Sequence, residues 1–82
     1  MIKVVFFAAL REQLDCHELS ISSENLVTVD DLQKHLANIS EHWQKIFANT
    51  ALLSAVNHNM ANSEQVIKSG DEVAFFPPVT GG

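Results

Sequence analysis

The residues with the most suggestive chemistry stand at the end of the sequence. A run of apolar residues leads into Pro77-Pro78-Val79-Thr80-Gly81-Gly82. Prolines stiffen a chain and hold it extended. Glycine has no Cβ, so a diglycine tip passes through a channel too narrow for other residues. Fully extended, residues 77–82 reach at most about 20 Å, at ~3.3–3.6 Å each. A thin tip ending in a carboxylate suits chemistry on that carboxylate, performed inside another protein's active site. The bland alternative is a frayed end, since termini are commonly loose. A frayed end, however, has no use for stiff prolines leading directly off a strand.

Other candidates for chemistry are weaker. Cys16 lies beside His17 in a polar stretch, where a thiol activated by the imidazole would carry a persulfide; a lone loop cysteine is more often incidental. His17, His35, His42 and His58 form no His-x-x-x-His pair, which argues against a zinc site. A single cysteine excludes a disulfide framework, a cysteine-based zinc site and a protein-held iron–sulfur cluster. No glycine-rich phosphate loop is present, so no nucleotide site is expected on this chain itself.

Charge narrows the partners. Ten acidic residues against five basic ones give a net charge of −5. Lys3, Arg11, Lys34, Lys45 and Lys68 are scattered singly, unlike the clusters that bind phosphate backbones by counterion release. Nucleic acid and anionic membrane are therefore not expected partners. The longest apolar run, Val4 to Leu10, falls far short of the ~20 residues a spanning helix needs. Arg11-Glu12 follows it without a cleavage pattern, so the expected location is the cytoplasm.

These residues need elements to position them. At 82 residues the chain is one small domain, in which folding buries only about 60% of the unfolded surface. Residues Ile2 to Ala9 read as a strand, with Ile2, Val4, Phe6 and Ala8 on a wholly apolar face. Arg11 to Cys16 reads as a loop, and His17 to Ser22 as a half-buried second strand that completes a hairpin. Thr28 followed by Asp30 and Asp31 reads as a helix start, with Asp31 placed for a short-armed capping box. Val29, Leu32, Leu36 and Ile39 then form one helical stripe. Ser40 starts a second short helix carrying Trp43, Ile46 and Phe47, closed by Asn49-Thr50. Trp43 is expected in the core, and His35 and His42 in solvent. Leu52 to Asn57 reads as a third strand, Asn57-His58-Asn59 as a turn, and Met60-Ala61 as a short return. Gly70 suits a turn with positive φ, and Glu72 to Phe76 is a last strand that Pro77-Pro78 terminates.

That order predicts an α+β, β-grasp fold. One mixed sheet carries one main helix across one face, and a second short helix follows. The domain is residues 1–76, with residues 77–82 as a projecting tail. The first and last strands, being the most apolar, should lie side by side at the centre. The helix stripe should close over Ile2, Val4, Phe6, Leu19 and Ile21. The opposite face should carry Val5 and Phe7, joined by Phe75. Exposed phenylalanines on one sheet face imply a protein partner, with Phe7, Arg11, Met60 and Phe75 as the docking candidates.

Gly70-Asp71-Glu72-Val73 and Phe75-Phe76-Pro77-Pro78-Val79-Thr80-Gly81-Gly82 resemble the small subunits of molybdopterin synthase, ubiquitin-like sulfur carriers. Ile2 to Ala8 with Arg11-Glu12, and Ala55-Val56-Asn57, are similar as well, so the resemblance spans the chain. It departs at Asp15-Cys16, where relatives often have glycine, which bears on the shape of that loop.

The resemblance implies a cycle. An adenylating enzyme related to ubiquitin-activating enzymes would use ATP to turn the Gly82 carboxylate into an acyl-adenylate. Sulfur, ultimately from cysteine through a donor such as a cysteine desulfurase, would displace AMP and leave a thiocarboxylate. The tail, residues Pro77, Pro78, Val79, Thr80 and Gly81, would thread the large subunit of the synthase and deliver sulfur to cyclic pyranopterin monophosphate. No cofactor would be bound permanently, and the catalytic residues would lie on the partners. The expected assembly is a heterotetramer with two copies of each subunit. Alternatives remain a carrier for thiazole or another sulfur metabolite, a ubiquitin-like protein modifier, and a binding module whose tail does no chemistry.

Overall fold

The computed structural model describes residues 1–78. Five strands form one sheet in the order β2-β1-β5-β3-β4. The strands are β1 (Ile2–Phe6), β2 (Glu18–Ile21), β3 (Leu53–Val56), β4 (Asn59–Ala61) and β5 (Glu72–Phe76). The helices are α1 (Ala8–Leu14), α2 (Val29–Ala37) and α3 (Glu41–Asn49). β1 and β5 run parallel at the centre, with Val4 opposite Val73 and Phe6 opposite Phe75. β2 pairs antiparallel with β1, and β3 pairs antiparallel with both β5 and β4. This is the β-grasp arrangement that the element order predicts.

The core lies between the sheet and the helices. Ile2, Val4, Phe6, Val73 and Phe75 from the central strands meet Val29, Leu32 and Leu36 of α2. An aromatic cluster ties α3 to the central strands. Trp43 meets the Phe6 ring edge-on at 5.5 Å, and Phe47 meets Phe75 edge-on at 6.3 Å. Both are geometries that aromatic quadrupoles favour.

α2 begins as its sequence dictates. Thr28 Oγ1 accepts the Asp31 N–H at 3.3 Å, and Asp31 Oδ2 accepts the Thr28 N–H at 3.2 Å, completing the capping box. The same oxygen accepts the Val27 N–H at 3.0 Å. These two amides, Val27's first, hold the Asp31 carboxyl below the usual carboxylate range.

Several expectations need correction. β1 stops at Phe6, and the segment read as a loop, Arg11 to Cys16, belongs largely to a helix of 7 residues. Leu10 and Leu14, one turn apart, bury one stripe of α1, and Asp15 ends it at φ 51° with its N–H on the carbonyls of Arg11 and Glu12. Ile39 does not extend the α2 stripe. The helix ends at Ala37, and Ile39 is 47% exposed beyond the Asn38 cap. β3 is shorter than read, without Leu52 and Asn57. Phe75 does not join Phe7 on the open face. The parallel register sets it opposite Phe6, fully buried, and turns Phe76 outward instead.

Candidate functional site

The open sheet face is built by strand alternation. On β1 it receives Lys3 and Val5, on β5 Glu72, Ala74 and Phe76, and on β3 Leu53 and Ala55. Register aligns these side chains in rows. Glu18, Val5, Ala74, Ala55 and Met60 run across the middle of the sheet. Leu53 lies opposite Phe76 in the next row. The Phe7 N–H donates to the Phe75 carbonyl at 3.2 Å, continuing the β1–β5 ladder one residue further and bringing Phe7 level with Phe76. Phe7 is 47% exposed and Met60 65%.

The face is therefore graded along β5. At the start of the strand it is charged: Lys3 Nζ lies 3.7 Å from Glu18 and 3.8 Å from Glu72, and His58 Nε2 lies 3.7 Å from Glu72. At the end of the strand it is apolar, with Phe7, Phe76 and Leu53 surrounding the exit of the tail. Half-buried Pro77 and exposed Pro78 follow directly. Phe76 and Leu53 were missed by sequence reasoning. Only the pairing of β5 with β1 decides which of two adjacent phenylalanines faces out.

Arg11 is exposed on α1, one turn beyond Phe7, whose carbonyl accepts the Arg11 N–H at 3.4 Å. Its guanidinium enters no ion pair among the described residues. Of the docking candidates, the structure thus leaves Phe7, Arg11 and Met60 at the surface and removes Phe75. Val79, Thr80, Gly81 and Gly82 lie outside the described residues.

Cys16 is half-buried and its thiol donates to the Glu18 carbonyl at 3.6 Å. Burial, aided by the Asp15 carboxylate, pushes the thiol up from its ordinary value. That favours a protonated, unreactive sulfur and runs against activation by His17. His42 sits on α3 with Nε2 2.8 Å from the Gln13 carbonyl of α1. A cleft of about 480 Å³ lies between the β3–β4 hairpin and Gln65–Lys68. Its lining includes Asp71, at the end of β5 remote from the tail. No helix among the described residues is long and apolar enough to cross a membrane.

Residues 4–82 match the model of the ThiS family. The chain is 42% identical to the molybdopterin synthase sulfur carrier subunit of Escherichia coli (strain K12), over 100% of both chains. It is 37% identical to the subunit of the same name from Haemophilus influenzae, again over 100% of both. Among solved structures, the putative molybdopterin converting factor, subunit 1, from Pyrococcus furiosus is similar with a TM-score of 0.75 at 28% identity. That likeness covers 95% of this chain and 97% of the other.

Proposed function

The chain belongs to the ThiS family, and from that premise we propose that it is the sulfur carrier subunit of a molybdopterin synthase. The observation that carries the proposal is the path of β5. The central strand of the sheet leads directly into Pro77-Pro78, which the sequence follows with Val79-Thr80-Gly81-Gly82. The full-length relatives in Escherichia coli and Haemophilus influenzae, both named for molybdopterin synthase, favour that acceptor over thiazole.

The chemistry proceeds on the Gly82 carbonyl carbon. A carboxylate is a poor electrophile, so its oxygen first attacks the α-phosphorus of ATP in the activating enzyme. Pyrophosphate leaves and an acyl-adenylate forms. Hydrosulfide, HS−, as the sulfide-level form of the donated sulfur, then attacks the carbonyl carbon, AMP leaves with the oxygen, and a thiocarboxylate remains. A thiocarboxylic acid is more acidic than a thiol, whose reference pKa is about 8.5. At neutral pH it is thus an anionic sulfur nucleophile ready to attack the pterin precursor. A dithiolene needs two sulfurs, so the carrier docks, discharges, leaves to be recharged and returns.

In this cycle the folded body orients the tail. Phe7, Phe76, Leu53 and Met60 present an apolar docking face beside its exit, for the large subunit and for the activating enzyme. Arg11 supplies a free positive charge at the rim. The catalytic groups belong to those partners. A chain lengthened by one residue beyond Gly82 tests the proposal: reconstituted with its large subunit and activating enzyme, it should yield no molybdopterin. Full yield without trimming of the added residue would overturn the reading.

A further inference from the structure

The passage from β1 to α1 turns on a single residue. Phe7 is still extended, at φ −125° and ψ 162°, and it caps α1 without a side-chain hydrogen bond. Ala8 then takes φ 56°, in the left-handed region. There the Cβ of an L-residue crowds the following carbonyl. The other described non-glycine residues with positive φ are Asp15, Asn25, Asn57 and His58, types that tolerate this conformation. Ala8 has no polar side chain to offset the crowding. Immediately beyond it, buried Leu10 and Leu14 fasten α1 to the core. A strained backbone held by firmly packed neighbours is the kind of outlier that marks functional positions.

We infer that Ala8 is a positioning residue for docking: its left-handed backbone breaks the chain sharply off β1 and holds the Phe7 ring on the open face, level with Phe76. Its methyl group confines the backbone, so the ring is ordered before a partner arrives. Glycine would adopt this φ without strain but would leave the corner loose. Stability and docking therefore make opposite demands at this position. The inference rests on the docking-face reading above.

The test is Ala8→Gly, with Phe7→Ala and the double variant. Ala8→Gly should leave the thermal midpoint unchanged or raise it. In the free protein it should weaken the nuclear Overhauser contacts of the Phe7 ring with its neighbours on the open face. Affinity for the cognate large subunit should fall about three- to tenfold, the size expected when one side chain must be ordered on binding. In the Phe7→Ala background the same change should cost nothing further, because it acts through that ring. Undiminished ring contacts would overturn the inference, as would an equal affinity loss in both backgrounds. If Phe7→Ala itself binds normally, the docking-face reading falls, while the ring contacts still decide the role of Ala8.

Discussion

Asn57 donates its side-chain amide to Asp71 Oδ1 at 2.9 Å, tying the β3–β4 turn to the residue that precedes β5. The Lys68 N–H donates to the other carboxylate oxygen at 2.9 Å, and Asn57 Oδ1 accepts the Glu72 N–H at 3.0 Å. The strand that bears the tail is thus pinned at the end opposite its exit. These bonds, that from Asn57 first and that from Lys68 next, hold the Asp71 carboxyl below the usual carboxylate range.

A carboxyl whose pKa is lower in the folded chain than in the unfolded one binds fewer protons when folded. Its stabilisation is fully present above the unfolded value of about 3.9 and is lost as pH falls through the folded value. Asp71→Asn should therefore cost about 1–2 kcal/mol near neutral pH. The penalty should shrink as pH drops below about 4. Asp31 keeps an acid-sensitive contribution in both proteins, since it is shifted in the same direction. Urea unfolding at a series of pH values checks this. A penalty of constant size would show that the charge is not what matters.

Phe75 and Phe76 are adjacent but should fail differently. Phe75 is fully buried and stacks on Phe6 at 6.4 Å. Its replacement by alanine should cost about 3–5 kcal/mol, as emptying a core aromatic site does. Phe76→Ala should leave a folded protein with about tenfold or weaker affinity for the large subunit, a loss of the size seen at interface anchors. Thermal unfolding read beside titration calorimetry separates the two. Equal destabilisation with unchanged binding by the Phe76 variant would contradict the placement of the docking face.

The β3–β4 hairpin turns through Asn57 at φ 50° and His58 at φ 71°, the geometry of a type I′ turn. Asparagine suits the first position, and histidine tolerates the second but is less favoured there than glycine. His58→Gly should raise stability by about 0.5–1 kcal/mol, visible as a higher thermal midpoint. The contact to Glu72 at 3.7 Å is exposed and worth little. A lower midpoint would show that this contact outweighs the backbone preference for glycine.

Much of this architecture is legible in the residues because local signals and tertiary packing agree. Thr28 and Asp31 announce α2, Ser40 announces α3, and apolar alternation marks β1 and β5. α1 is hidden because Ala8-Ala9-Leu10 prolongs the apolar run of β1, and two helical turns give too few residues for a helical period to stand out. The face of Phe75 is hidden for another reason. Alternation gives two faces but not which is buried, and only the pairing of Phe6 with Phe75 settles it. Ala8 carries no signal at all, since its left-handed backbone follows from how β1 and α1 are each anchored. The tail chemistry is legible only in its residue types.

The most direct test of the sulfur-carrier account is the intact mass of the chain after incubation with ATP, a sulfur source and its activating enzyme. The account predicts exchange of one oxygen for one sulfur, localised by fragmentation to Gly82 and absent when ATP is withheld. Sulfur found on Cys16 instead, with the terminal carboxylate unchanged, would contradict it.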